Sequence, residues 1–375
     1  MKIGCPKEIK SQEFRTGLIP AAVKAYVEHG HQVSVEQGAG LGSGITDEQY
    51  EQAGARIVAT AREVWEGSQM IVKVKEPLAS EHDLMQPGQL VYTYFHFAAN
   101  EKLTLACLEK KISAIAYETV QEEDGSLPLL KPMSEVAGRM APLMGAFYLG
   151  KPFGGRGLLP TGVPGVAPAN VLILGGGTVG SNAAKVAAGF GARVTLLDIN
   201  LDTLEHIGNI MPANVSPIHA DAYTLEKGLK EADIVIGAVL VTGARAPKIV
   251  KREHLGLMKP GSVIVDVAID QGGCVETSRA TTHSDPVYLV DGVVHYCVAN
   301  MPGAYSRSST FALSNRTGKY GLLLADMGVE NGCLSQPALL RGLNIHNGWI
   351  TFKPVCESFD LEGSYKPARE ALGSR

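Results

Sequence analysis

Four ionisable residues sit where apolar stretches give way to polar chain, and each has a side chain suited to work on a small charged molecule. Arg15 lies in KSQEFRTGLIP, where its planar fork could clamp a carboxylate through two parallel hydrogen bonds. A solvated arginine in a polar loop is the competing reading. Lys75 lies in VKVKEP, and the two-residue period of a strand puts it on the face of Lys73, as a surface lysine pair or as a second contact to a carboxylate or carbonyl. His96 stands among Tyr94, Phe95 and Phe97, a stretch too apolar for a wet surface loop. It reads either as a satisfied core histidine or as a general acid/base, a role open to imidazole because that group in general titrates near neutrality. Asp270 ends the apolar run SVIVDVAID, with Asp266 on the same face by parity. One of the two can cap the strand; Asp270 is nearer the end, where ligands bind. Glu118 ends another strand and could orient a cationic neighbour or lie plainly on the surface. No clustered set of His, Cys or carboxylates has metal-site spacing, so no metal is expected.

The stretch that must position a cofactor beside these groups is residues 170–198, NVLILGGGTVGSNAAKVAAGFGARVTLLD. An apolar run leads into Gly175, Gly177 and Gly180 at G-x-G-x-x-G spacing, followed by an alanine-rich helix and a second apolar run. In a dinucleotide site the first glycine makes the tight turn, the second admits the pyrophosphate to the backbone, and the third lets helix and sheet pack closely. The helix N-terminus then offers its amides to the phosphates. Asp198 follows Gly180 by eighteen positions, where a carboxylate would accept from ribose hydroxyls and repel a 2′-phosphate. NAD rather than NADP is the expected cofactor.

The rest of the chain alternates short apolar strands with amphipathic helices, an α/β pattern with largely parallel sheets. Before residue 170, strands are expected at residues 2–5, 32–36, 70–74, 90–97 and 112–117; from there on, six strands, the first of them leading into the glycine turn, complete a doubly wound nucleotide domain. Arg15, Lys75 and His96 fall at or just beyond strand ends, the side of a parallel sheet where ligands bind. A helix is expected over residues 134–149 with Ser134 as its N-cap, then a long Gly/Pro-rich loop over 150–168. Helix resumes at 308–328 with no second glycine fingerprint. The expected architecture is therefore two Rossmann-like doubly wound domains: a discontinuous substrate and catalytic domain, residues 1–130 with 305–375, and an inserted NAD-binding domain, residues 131–304.

At 375 residues, 45% hydrophobic, the chain can bury two sizeable cores. A net charge of −4 without basic clusters argues against nucleic acid and anionic membranes. The start MKIGCPKEIK turns polar at once, no apolar run reaches a membrane span, and the six cysteines form no C-x-x-C pair. A soluble cytoplasmic protein is the expectation.

The chain resembles the alanine dehydrogenase and pyridine nucleotide transhydrogenase family over almost its whole length. GCPKEIKSQEFRTGLIPAAVKAYVEHG is similar to that family's N-terminal signature and LILGGGTVGSNAAKVAAGFGARVTLLD to its nucleotide-binding signature; KVKEP, FHFAAN, KPMSEVAGRMA, VIVDVAIDQGG and VANMPGAYSRSSTFALSN match as well. Around Arg15 the chain has Gln12, Phe14 and Thr16 where the family more often has Asn, Tyr and Val, which touches packing rather than charge. The resemblance implies reversible, NAD-dependent oxidative deamination of L-alanine to pyruvate and ammonium. It implies that Arg15 and Lys75 hold the substrate carboxylate and that His96 and Asp270 handle protons. It further implies cofactor contacts at Ser134, Thr178, Val179, Asp198, Ala220, Val239, Leu240, Val267, Ala268, Ile269, Asp270, Arg279, Val298, Ala299, Asn300 and Met301, and a homo-oligomer, usually a hexamer. The same signatures occur in the NAD-binding hydride-carrier module of proton-translocating transhydrogenase, which needs no substrate histidine. A silent NAD-sensing scaffold is a third reading, disfavoured by Arg15, Lys75, His96 and Asp270 occurring together.

Overall fold

A computed structural model describes residues 1–239 and 246–373. The chain divides into two compact units, residues 1–133 with 303–375, and residues 134–302. Its strands in order are β1 (Lys2–Cys5), β2 (Gln32–Glu36), β3 (Arg56–Val58), β4 (Met70–Val72), β5 (Leu90–Thr93), β6 (Ser113–Ala116), β7 (Asn170–Leu174), β8 (Arg193–Asp198), β9 (Val215–His219), β10 (Ile234–Gly237), β11 (Val263–Asp266), β12 (Val287–Val290), β13 (Val293–Tyr296), β14 (Leu343–His346) and β15 (Trp349–Ile350). Its first helices are α1 (Pro20–Glu28), α2 (Asp47–Gln52), α3 (Ala61–Gly67), α4 (Ala79–His82), α5 (Glu101–Glu109), α6 (Lys131–Tyr148) and α7 (Thr178–Gly189).

The first unit is built on the sheet β15-β14-β6-β5-β4-β1-β2-β3. Strands β1 to β6 pair parallel, and β14 and β15 extend the β6 edge antiparallel. The order from β3 to β6 is that of a doubly wound fold, with its reversal between β1 and β4, and loops beyond such a reversal are where ligands settle. Local chemistry starts the helices. Pro20 opens α1, and Thr46 caps α2 by accepting from Gln49 N while the Gln49 side chain accepts from Thr46 N.

The second unit is built on β12-β13-β11-β10-β7-β8-β9. Six of its strands run parallel in Rossmann order, and β12 adds an antiparallel edge against β13. Val171, Ile173, Val194, Ile234, Ile236, Val263 and Val265 pack with Ala183, Ala184 and Ala187 of α7 in one core. Alanines on that helix face allow the close helix-to-sheet approach. The two Rossmann-like sheets expected from the α/β alternation are thus present.

Several elements differ from the pattern reading, each for a local reason. The run expected as strand over 90–97 leaves the sheet at Thr93, since His96 takes φ 52° and ψ 40°, a left-handed conformation no strand residue adopts. The run over 70–74 ends at Val72, and the apolar run SVIVDVAID leaves the sheet at Asp266, whose side chain accepts from Ala268 N and starts a 3₁₀ turn, Val267–Gln271. Helix α6 begins at Lys131, so Ser134 lies in its first turns and is not its N-cap; Pro132 fits a first helical turn, where no amide partner is needed. Helix at 308–328 runs from Ser306 to Ser335 with a break at Gly328. The short strands β3, β12, β14 and β15 went unforeseen because two to four residues show no period.

Candidate functional site

In the first unit, Arg15, Lys75 and His96 stand on the segments that leave β1, β4 and β5, three strands adjacent in the sheet. Arg15 is buried, at 2% exposure, which removes the solvated-loop reading. Its Nε donates to Glu13 Oε1 at 2.7 Å and its Nη2 to Glu13 Oε2 at 2.5 Å, while Nη1 lies 3.0 Å from the Met133 sulfur. Burial works against the guanidinium charge, but the Glu13 carboxylate outweighs it and the pKa is raised. Glu13 therefore takes the Nε/Nη2 edge of the guanidinium.

Lys73 and Lys75 are not a surface pair. Lys73 is fully buried, with its Nζ 2.9 Å from Glu81 Oε1 and 3.2 Å from Glu8 Oε2. Burial opposes its charge, yet the two carboxylates hold the ammonium form and raise its pKa. The strand stops at Val72, so parity past that point carries no information; Lys75 is half-buried. Glu8 Oε1 accepts from Val74 N at 2.6 Å and Lys75 N at 3.2 Å, and the Lys75 carbonyl accepts from Thr93 Oγ1 at 3.0 Å. One buried carboxylate thus pins the backbone that carries Lys75.

His96 is exposed, and the core-histidine reading falls. Phe95 and Phe97 on either side are buried and stack with centroids 4.4 Å apart, so the apolar context belongs to the neighbours and the imidazole alone turns outward. Among the described residues Glu118 makes no ion pair; its carboxylate accepts from the Phe95 and His96 amides.

In the second unit the glycine turn joins β7 to α7. Gly175 has φ 100°, and a Cβ on Gly180 would lie 1.8 Å from Gly175 O, so both must be glycine for the chain's own sake. Gly177 differs. It caps α7 with φ −65°, and a Cβ there would meet nothing within 4 Å, so the protein itself does not require glycine at that position. No side chain caps the helix, which leaves the amides at Thr178 and Val179 to an anion. A diphosphate fits that open cradle. Asp198 ends β8 with Oδ2 accepting from Gly176 N at 2.6 Å and Oδ1 from Asn200 N at 2.8 Å, so its carboxylate is held against the turn. Each oxygen keeps a further lone pair for a ribose hydroxyl.

The remaining cofactor candidates gather mostly beyond the carboxyl ends of this sheet. Ala220 follows β9 and its amide donates to Asp198 O at 2.9 Å; Val239 follows β10, and Leu240 lies outside the described residues. After β11, Val267 is half-buried, Ala268 and Ile269 are buried, and Asp270 is exposed on the 3₁₀ turn. Asp266 and Asp270 do not share a strand face, because the strand ends between them. Asp266 is fully buried and takes amides of Ala268, Cys274 and Val275, which makes it the hub of the turn and leaves Asp270 as the carboxylate facing outward. After β13, Val298 and Met301 are buried in the core, Ala299 N donates to Thr281 O, and Asn300 has φ 64°. Arg279 lies two residues before Thr281, whose amide donates to Cys297 O at 2.9 Å just past β13, and its guanidinium is 4.1 Å from the ring centroid of Tyr288 on the edge strand β12. Ser134 is half-buried near the start of α6. Among the described residues no group of His, Cys, Asp and Glu could hold a metal ion, and no helix is long and apolar enough to cross a membrane.

The buried carboxylates Glu8, Glu13 and Glu81 escaped sequence reading. KEIKSQE looks like a solvated charged run, and only a strand-end position hinted otherwise.

A parallel sheet in Rossmann order, a glycine turn with an open cradle and an acid at the next strand end define a dinucleotide-binding protein of the Rossmann type. Residues 4–137 match the N-terminal domain of the alanine dehydrogenase/PNT family and residues 141–353 its C-terminal domain. The chain belongs to that family. It is 53% identical to an alanine dehydrogenase of Methanococcus maripaludis, over 99% of this chain and 100% of that one. A solved L-alanine dehydrogenase superposes with a TM-score of 0.94 at 49% identity, covering 96% of this chain and 100% of the other. A transhydrogenase from Sinorhizobium meliloti superposes at 0.80 with 26% identity, covering 94% and 99%.

Proposed function

We propose that this chain is an NAD-dependent alanine dehydrogenase, which oxidises L-alanine to pyruvate and ammonium and runs in reverse. The observation that carries the reading is the placing of Arg15, Lys75 and His96 on three adjacent strand ends of one sheet, in a chain about half identical to relatives named for this reaction. The transhydrogenase alternative has the weaker likeness, at 26% identity, and gives no use for such a set.

In this reading the first unit is the substrate and catalytic domain and the second the NAD-binding domain. The turn at Gly175, Gly177 and Gly180 and the amides of Thr178 and Val179 hold the diphosphate, and Asp198 takes the adenosine ribose. When bound, NAD supplies the hydride acceptor. Arg15 and Lys75 fix the alanine carboxylate, which aims the Cα–H bond. Hydride can leave only from alanine with a neutral amine, so His96 accepts the amine proton. Asp270 steadies the positive charge that develops on the imine and holds the attacking water; His96 then moves protons as the carbinolamine collapses to pyruvate and ammonium.

A homo-oligomer, a hexamer by family resemblance, is part of the proposal. Phe147 and Phe153 stack 4.3 Å apart while both are exposed, and Leu143, Leu159, Val163 and Val166 are exposed in the same segment, an apolar surface of the kind that subunits cover. A light-scattering mass of one protomer would overturn this. The six free, buried cysteines suit a reducing compartment and support a cytoplasmic location.

The test follows NADH absorbance with purified chain, NAD and L-alanine. Alanine-dependent NADH formation is expected; a chain that binds NADH but never reduces NAD with alanine would favour the carrier module.

A further inference from the structure

We propose that Glu118 is the positioning residue for His96, acting through the backbone and not as a proton relay. The inference rests on the reading of His96 as the acid/base.

Strands β5 and β6 pair parallel with Thr93 opposite Ala116, so the segments leaving them stay neighbours. Beyond that pair, Glu118 lies in the 3₁₀ turn Tyr117–Thr119 and reaches across to β5's exit. Its Oε1 accepts from His96 N at 2.6 Å and from Phe95 N at 3.1 Å, and its Oε2 lies 3.3 Å from Phe95 N. Two consecutive amides that have left the sheet ladder thus share one carboxylate. An ionised carboxylate suits this, since both its oxygens only accept.

His96 needs such a hold. Its φ of 52° and ψ of 40° form the left-handed conformation that residues with a Cβ adopt reluctantly. That conformation is what separates the imidazole from its neighbours. Tyr94, Phe95 and Phe97 are buried and His96 is not. The Tyr94 hydroxyl donates to Leu129 O at 2.6 Å, fixing a ring that runs within 12° of the imidazole plane. With the buried neighbours fastened and both amides gripped, the Cα–Cβ direction of His96 has one setting. Without Glu118, the segment can relax toward ordinary backbone angles and the ring loses its aim, while substrate and NADH contacts on other loops persist.

The full-length protein tests this with Glu118→Ala, Glu118→Gln, His96→Ala and the double variant Glu118→Ala/His96→Ala. Glu118→Ala is expected to lower kcat on alanine about ten-fold or more, with KM for alanine and NADH affinity changed less than about three-fold. Gln keeps one accepting oxygen but turns an NH₂ toward an amide, so it should recover part of the loss. In the His96→Ala background, removing Glu118 should cost less than about three-fold more, because no imidazole is left to aim. Hydrogen exchange at Phe95 and His96 should quicken in Glu118→Ala. Fully additive losses, or an unchanged kcat, would overturn the proposal; should the alanine variant fail to fold, the Gln variant carries the same comparison. If the unsubstituted chain does not oxidise alanine, the reading of activity fails by itself, and unchanged exchange at the two amides would separately overturn the clamp.

Discussion

Gly177→Ala and Gly180→Ala, three positions apart in one turn, should fail in opposite ways. A methyl on Gly180 would stand 1.8 Å from Gly175 O and 2.9 Å from Gly175 C. Both are backbone atoms, and Gly175 is tied in place by its amide, which donates to Leu197 O at 2.8 Å. Overpacking a core costs about 1–3 kcal/mol where side chains can yield, and none can here, so about 3 kcal/mol or more is expected. For a unit of this size that lowers Tm by roughly 6–12 °C. A methyl on Gly177 meets nothing within 4 Å, at a φ open to alanine. Its gain of roughly 0.4–1 kcal/mol from a less flexible unfolded chain is offset by alanine's poor N-capping, which leaves stability within about 0.5 kcal/mol. The methyl does fill the space where a diphosphate must approach the amides. Losing that approach should weaken NADH binding at least about ten-fold, or 1.4 kcal/mol. Thermal unfolding and fluorescence titration of NADH read the two quantities. Unchanged NADH affinity in Gly177→Ala would refute the cradle, and an unchanged Tm in Gly180→Ala would refute the steric argument.

Arg15→Lys should cut kcat/KM for alanine by about ten-fold or more and also lower Tm, because one ammonium cannot answer both Glu13 oxygens and a substrate carboxylate. Arg15→Ala takes the guanidinium away from the buried Glu13 carboxylate, at a cost of about 3–5 kcal/mol, part of which Arg15→Ala/Glu13→Ala should restore; if the double variant is no more stable than the single, the pair is not coupled. Stability should also fall with acid through His295, which is buried between Thr277 Oγ1 and Val293 O. Burial holds its pKa below the ordinary 6.5, so the neutral ring's contribution is complete above that value and is lost as pH falls through the folded-state pKa. The slope of Tm between pH 6.5 and 5 should be shallower in His295→Gln, and an equal slope would refute the assignment.

The strands 2–5, 32–36, 170–174 and 193–198 could be read from residue order alone, 170–174 from its unbroken apolar run and 32–36 from the alternation of Val33 and Val35 with polar residues. The glycine turn was legible for the same reason. Glycine spacing, helix start and a following acid are constraints that act within some thirty residues. Reading by alternation failed within four residues past these strand ends. Lys73 with Lys75, Asp266 with Asp270 and the run to Phe97 were all assigned from a period that stops where the ladder stops.

The sequence by itself determined which residue types lie at the strand ends and where the nucleotide turn falls, since both follow from local periodicity and backbone sterics. Only the tertiary structure decided what each charge does. It buried Lys73 between Glu8 and Glu81, gave one edge of Arg15 to Glu13, made Asp266 a backbone hub and Asp270 an outward carboxylate, and turned Glu118 onto the amide of His96. Glu8 meets Lys73 and Lys75 across more than sixty residues of chain, because β1 and β4 are neighbours in the sheet. A buried charge must find its partner among whatever groups the sheet order brings alongside, and that order is set by packing over the whole unit rather than by any window of residues.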